Sequence, residues 1–126
     1  MNKMSRILVV DDNIDILQIV KVILENYGYE VLVTLKGEET LSRTDIFDPH
    51  LILMDVFLAS GIDGRDICRA LKSNDKTKDI PVIMFSAQTK MEDIFRSCRA
   101  DDFIAKPFEV KDLLNKIQFH LSQNLN

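Results

Sequence analysis

Several polar residues stand at the C-terminal ends of apolar runs. Asp11 and Asp12 follow Arg6-Ile7-Leu8-Val9-Val10, and Asp55 closes Leu51-Ile52-Leu53-Met54-Asp55. Ser86 follows Ile80-Pro81-Val82-Ile83-Met84-Phe85, and Lys106 follows Asp102-Phe103-Ile104-Ala105. In an open parallel sheet, ligands bind in the crevice outside the carboxyl ends of the strands. Four strands would deliver three carboxylates, a hydroxyl and an ammonium to that edge. Three carboxylates repel one another unless a positive charge sits between them, and Mg²⁺ suits such a place because it is hard, prefers oxygen and keeps several waters. A carboxylate such as Asp55 can also act as a nucleophile and form an aspartyl phosphate. Phosphoryl transfer then needs positioning and cations for the charge on the equatorial oxygens. Lys106 can supply one cation and Mg²⁺ the other, while the Ser86 hydroxyl can donate to a phosphoryl oxygen.

Each of these residues also has a plainer reading. Asp11-Asp12 can simply cap a helix, Asp55 can be a solvated strand end, and Ser86 and Lys106 can be ordinary loop residues. The coincidence on neighbouring strands favours the site. Pro107 directly after Lys106 fixes a turn, and X-Pro bonds can be cis. A cis bond here would aim the ammonium back over the sheet edge.

The elements that must position this edge alternate five times. Residues 6–10 form a continuous apolar run, the mark of a strand buried on both faces. Asn13 can cap a helix carrying Leu17, Val20, Leu24 and Tyr27, with Gly28 just past its end. Residues 29–34 read as an edge strand. A helix over Lys36 to Phe47 places Thr40, Leu41 and Thr44 inward and is broken by Asp48-Pro49. Residues 50–55 form the third strand. After a loop at Ala59-Ser60-Gly61, a helix over Ile62 to Ser73 turns Ile67, Ala70 and Leu71 inward. Residues 80–85 form the fourth strand, followed by a helix from about Lys90 to Arg99. Residues 102–105 form the fifth strand, where Phe103 by itself reads as core. The last helix starts near Glu109 and carries Val110, Leu113, Leu114, Ile117 and Leu121 at helical spacing. Five βα units predict a three-layer αβα sandwich with helices on both faces of a parallel sheet.

The 126 residues fit one domain, with a core over 6–121 and short tails at 1–5 and 122–126. Apolar residues make up 46 %, enough for a packed core, and the net charge of -4 comes from well-mixed acids and bases. That balance argues against a nucleic-acid surface, which usually carries a basic excess. The two cysteines, Cys68 and Cys98, read as reduced, buried thiols of a cytoplasmic protein. His50 and His120 lie far apart with no close cysteine, which disfavours zinc. No apolar run approaches a membrane span, and the N-terminus has no signal-peptide pattern.

Taken in order and at these spacings, Ile7–Asn13, Leu51–Asp55, Asp63-Gly64, Pro81–Ala87 and Ala100–Phe108 resemble the receiver domain of two-component response regulators. The resemblance runs from Ile7 to Leu121. It implies a CheY-like sheet of strand order 2-1-3-4-5 and a phosphoacceptor module rather than an enzyme. Asp55 would take a phosphoryl group from a histidine kinase or histidine phosphotransfer protein. Asp12 and Asp55 would bind Mg²⁺ directly, with Mn²⁺ as a substitute, Asp11 acting through water and the Phe57 backbone carbonyl completing the protein ligands. Ser86 would be the switch hydroxyl, Phe103 the aromatic switch residue and Lys106 the partner of the carboxylate or phosphoryl oxygens. Switching would reshape the face made by the helix after the fourth strand, the fifth strand and the last helix. That face would serve an unidentified output partner or a phosphorylation-dependent homodimer, with no membrane or nucleic-acid contact by this domain.

Three features depart from the family pattern. The stretch Val56–Gly64 lacks the usual Pro and is about one residue longer. Arg99 stands where Gly is common. Phe57 and Gln88 flank the phosphoryl position and are expected to tune the lifetime of the aspartyl phosphate. No output module follows Leu121, so the chain reads as a stand-alone receiver or a fragment of a larger regulator. Two other readings compete: a pseudo-receiver interaction domain, against which the complete set Asp11, Asp12, Asp55, Ser86 and Lys106 argues, and a small aspartyl-phosphate phosphatase. The latter needs a second acid–base carboxylate, and none lies two residues after Asp55.

Overall fold

The structure is a computed structural model, and it describes residues 4–58, 61–86 and 98–123. Five parallel strands form one sheet: β1 (Arg6–Val10), β2 (Glu30–Thr34), β3 (Leu51–Asp55), β4 (Val82–Ser86) and β5 (Asp102–Ala105), in the order β2-β1-β3-β4-β5. The predicted order and architecture therefore hold. β1, β3 and β4 are nearly free of solvent, which is why they read as unbroken apolar runs rather than alternating ones. β2 is an edge strand, with Glu30 exposed.

Strand alternation sends side chains to two separate cores. Ile7 and Val9 face the helices α1 (Ile14–Asn26) and α4 (Val110–Gln123), meeting Leu17, Val20 and Leu24 from the first and Leu113, Ile117 and Leu121 from the second. Leu8 and Val10 face the opposite way, into the core that also holds Cys68 and Leu71 of α3 (Gly64–Lys72) together with Cys98 and Ala100. Fully burying one such aliphatic side chain contributes about 1.5–3 kcal/mol. The two cores fix the sheet edge from both sides.

Local signals account for most helix ends. The Asn13 side chain accepts from the Asp15 and Ile16 amides and starts α1. Gly28, at φ 90°, follows its end in the left-handed region that glycine tolerates. Asp48, at φ 52°, terminates α2 (Thr40–Phe47) just before Pro49.

Several residues of the helical patterns lie outside the core. Tyr27 closes α1 as its C-cap and is exposed, and Val110, the first residue of α4, is exposed too. In α2 only Thr40 and Thr44 are buried, while Leu41 is 49 % exposed. A short 3₁₀ turn, Gly37–Glu39, precedes α2 and resets its phase relative to a helix running from Lys36. In α3 the buried residues are Gly64, Cys68 and Leu71, whereas Ala70 is exposed and Ile67 only half-buried. This helix begins two residues later than the spacing suggested. The helix expected over 90–99 lies outside the described residues except for Cys98 and Arg99. Arg99 itself is left-handed, at φ 61°, so it keeps the backbone form glycine usually supplies, and its guanidinium donates to the Ser73 hydroxyl at 2.9 Å.

Candidate functional site

Register brings the predicted residues to one edge. Val10 pairs with Met54, Asp55 with Phe85, and Ser86 with Ala105. The residues ending or following these strands are thus Asp11 and Asp12, Asp55, Ser86 and Lys106. Carboxylate oxygens of Asp11, Asp12 and Asp55 all lie within 4.8 Å of one another. Asp11 is fully buried, Asp55 is 7 % exposed, and Asp12 is open to solvent.

The Lys106 ammonium sits between two of the three. It donates to Asp11 Oδ2 at 2.8 Å and to Asp55 Oδ2 at 3.2 Å. The Lys106–Pro107 bond is cis, as the X-Pro sequence allowed. The face of the Phe85 ring also approaches the ammonium, 4.6 Å from the ring centroid. Asp11 is tied further, its Oδ1 accepting from the Asn13 amide at 2.9 Å. One ammonium cannot neutralise three carboxylates. Burial, and then the charge of Asp11, push Asp55 up to about 6, against the opposing pull of Lys106 and of the Phe57 amide. The site thus carries surplus negative charge on hard oxygen donors at a water-accessible edge, a donor set able to bind a divalent metal.

The longer loop after Asp55 is closed rather than open. Phe57 and Asp63 form an antiparallel bridge, Leu58 N–H donates to Ile62 O at 3.0 Å, and Gly64 N–H donates to Val56 O at 2.6 Å. Asp63 caps α3 and binds the Arg65 guanidinium through Nε at 2.9 Å and Nη2 at 2.6 Å. Hydrogen bonding from Arg65 holds the Asp63 carboxyl below its usual range. Gly64 is required by contact: a Cβ there would lie 2.1 Å from the Asp55 carbonyl oxygen. The Asp63-Gly64 pair therefore supports the backbone of Asp55 itself, a role that spacing alone did not reveal.

The remaining predicted residues are placed as follows. Ser86 is the last residue of β4 and is buried; the fourth strand runs through it instead of ending at Phe85. Its carbonyl accepts from the Lys106 amide at 2.9 Å. Phe103 is half-buried against the α3-side core, with the Lys116 ammonium 5.8 Å from its ring centroid. The Phe57 side chain is 49 % exposed, under the Arg65 guanidinium at 5.7 Å. Gln88 lies outside the described residues. A group that sequence reasoning missed is Asp102, at the start of β5. It accepts from Lys116 Nζ at 2.9 Å, pairs with His120 Nε2 at 2.8 Å and accepts from its neighbour's amide, Phe103 N–H, at 2.8 Å. The i, i+4 spacing of Lys116 and His120 on one helix face was the available signal.

Comparison with known proteins agrees with this geometry. Residues 7–118 match the family model described as the response regulator receiver domain. The DNA-binding response regulator MtrA of Mycolicibacterium paratuberculosis is 32 % identical over 122 residues, covering 95 % of this chain and 52 % of that protein. The chain thus spans about half the length of this relative. The signal receiver domain of a signal transduction histidine kinase from Syntrophus aciditrophicus is 33 % identical, with a TM-score of 0.88 and coverage of 97 % and 93 %. The receiver domain of the sensor histidine kinase PA1611 from Pseudomonas aeruginosa PAO1 shares the fold at 23 % identity and a TM-score of 0.85, covering 95 % of this chain and 99 % of that one; its structure has a magnesium ion coordinated in the active-site cleft.

Proposed function

The chain belongs to the response regulator receiver domain family of two-component signalling, and from that premise we propose that Asp55 is its phosphoacceptor. Receiver domains partner histidine kinases, and the family is one of signalling modules rather than turnover enzymes. The observation that carries the reading is the Lys106 ammonium held between Asp11 and Asp55 in an over-acidic edge. An Asp55 oxygen attacks the phosphorus of a phosphohistidine on a kinase or phosphotransfer protein. The new O–P bond forms as the donor's P–N bond breaks, and the imidazole leaves with the electron pair. Lys106 stays on the acceptor side, where it can neutralise one phosphoryl oxygen, and the Ser86 hydroxyl, at the end of the adjacent strand, would donate to another.

Asp11, Asp12 and Asp55 would hold Mg²⁺, with the Phe57 carbonyl as a further ligand. The ion would supply charge neutralisation and orientation for the transferring group. Asp11 follows β1 and Asp55 ends β3, but both share Lys106, so phosphoryl on Asp55 redistributes that ammonium. Ser86 drawn toward the phosphoryl would let Phe103 follow, reshaping the surface around β5 and α4. The energy is a difference in phosphate contacts between two conformations. Phe57, two residues after the acceptor and exposed, would screen the attacking water. This module acts in the cytoplasm.

Incubation with a small acyl phosphate and Mg²⁺, followed by intact mass, tests the acceptor. One phosphoryl adduct is expected on the wild type and none on Asp55→Asn. An unmodified wild type, or an adduct that persists in Asp55→Asn, would overturn the assignment. For Phe57, Asn in its place should change the dephosphorylation rate, and equal rates would remove that role.

A further inference from the structure

Lys116 and His120 stand one turn apart on α4 and converge on Asp102, the first residue of β5. Lys116 Nζ donates to Asp102 Oδ1 at 2.9 Å, and His120 Nε2 meets Asp102 Oδ2 at 2.8 Å. Oδ1 also accepts from the Phe103 amide at 2.8 Å. Both carboxylate oxygens are engaged, which fixes the carboxylate to strand and helix at once. The same Lys116 ammonium lies 5.8 Å from the centroid of the Phe103 ring, inside the reach of about 6 Å over which a cation is drawn to an aromatic face. β5 is the outermost strand on its side of the sheet, and consecutive side chains leave a strand from opposite faces. At such an edge one long lysine can hold the carboxylate of one residue and the ring of the next. We infer that Lys116, anchored on Asp102, is a latch that holds the Phe103 ring in its half-buried position and so opposes switching.

The inference rests on the reading of Phe103 as the ring that follows Ser86 toward a phosphoryl group on Asp55. Phe103 packs against the α3-side core but keeps part of its surface in water. Movement deeper takes the ring away from Lys116, whose ammonium stays on Asp102. The lost contact burdens the switched conformation alone. His120 occupies the second carboxylate oxygen, and its own ring packs edge-on against Phe119, with centroids 5.0 Å apart. That packing keeps the carboxylate from turning with the ring. The Lys116 and Asp102 side chains are 38 % and 23 % exposed, so water weakens the latch to a modest bias. A modest bias is what a two-position element needs. A ligand that selects the ring-inside conformation binds less tightly in proportion to how rarely that conformation is populated. Lys116 is thus a positioning residue, acting on the acidic edge through Phe103.

The test uses the full chain with beryllofluoride and Mg²⁺, an inorganic stand-in for a phosphoryl group on a carboxylate. Titration followed by fluorine NMR gives its dissociation constant. Lys116→Met keeps the reach of the side chain and removes its charge. It should lower the dissociation constant by about fivefold, the size of one partly exposed charged contact. Lys116→Arg keeps the charge and should bind like the wild type. In a Phe103→Ala background, Lys116→Met should change nothing, because no ring remains to be held. Damage to the fold would weaken binding, so tightening separates a latch from a merely structural contact. Unchanged or weaker binding in Lys116→Met would overturn the latch. Equal tightening in Lys116→Arg, or full tightening in the Phe103→Ala background, would do the same. A wild type that binds no beryllofluoride would instead overturn the acceptor reading, and the latch with it.

Discussion

Replacing Asp55 by Asn should make the metal-free protein more stable at neutral pH. In the folded chain Asp55 is pushed from 3.8 to about 6, first by burial and then by Asp11. A tenfold change in proton affinity is worth about 1.4 kcal/mol, so this displacement corresponds to an upper figure of about 3 kcal/mol. Loss of the 3.2 Å contact with Lys106 reduces the gain, but Lys106 keeps Asp11 at 2.8 Å. An increase of about 1–3 kcal/mol at pH 7.5 is expected. The sign follows from linkage: a carboxyl raised on folding binds its proton more tightly in the native state. Its ionisation therefore costs no stability below about pH 4, costs progressively more up to about pH 6, and reaches a plateau above. Urea denaturation in the presence of a chelator, from pH 4 to 7.5, measures this. The advantage of Asp55→Asn should vanish at the acid end, and Mg²⁺ should narrow it at pH 7.5 by stabilising the wild type. A variant no more stable than wild type at pH 7.5, or a gain that does not vary with pH, would refute the reasoning.

Three further outcomes are expected. Thr40 is fully buried and its hydroxyl has no hydrogen-bond partner among the described residues; Thr40→Val should raise the unfolding free energy from urea denaturation by about 1 kcal/mol, and a lowered value would show the hydroxyl to be satisfied. Gly64→Ala would set a Cβ 2.1 Å from the Asp55 carbonyl, so a loss of about 3 kcal/mol or more is expected in the same assay, as for overpacking against rigid backbone. Burial pushes Asp102 up, but bonding from His120, Lys116 and the Phe103 amide outweighs it, and its carboxyl lies below the usual 3.8. Its stabilisation is present above 3.8 and is lost as pH falls through the lower native value, so the deficit of Asp102→Asn, read by thermal melting, should shrink at strongly acid pH.

The polar edge was legible because parallel strands place their C-terminal residues together, and one apolar run after another ended in a chemically useful group. Asp11, Asp12, Asp55, Ser86 and Lys106 needed only strand assignment and a sheet order. The reach of Lys106 to Asp11 as well as Asp55 is a distance across the sheet that no local pattern records. Leu41 and Ala70 were misplaced because short helices offer too few turns to fix their phase, and a 3₁₀ turn or a two-residue shift at the start rotates the whole face. Gly64 looked like an ordinary turn glycine; its necessity comes from the backbone of another strand. Cys68 and Cys98 were each readable as buried, but their contact depends on how α3 meets the approach to β5.

The bridge between Phe57 and Asp63 has a consequence for how this domain tolerates change. The loop is pinned at its root by Gly64 N–H on Val56 O and again by Leu58 N–H on Ile62 O. Length added between Leu58 and Ile62 lies outside both pins and leaves the Asp55 backbone where it was. The acidic edge can therefore keep its geometry while the chain outside the two pins differs in length between relatives.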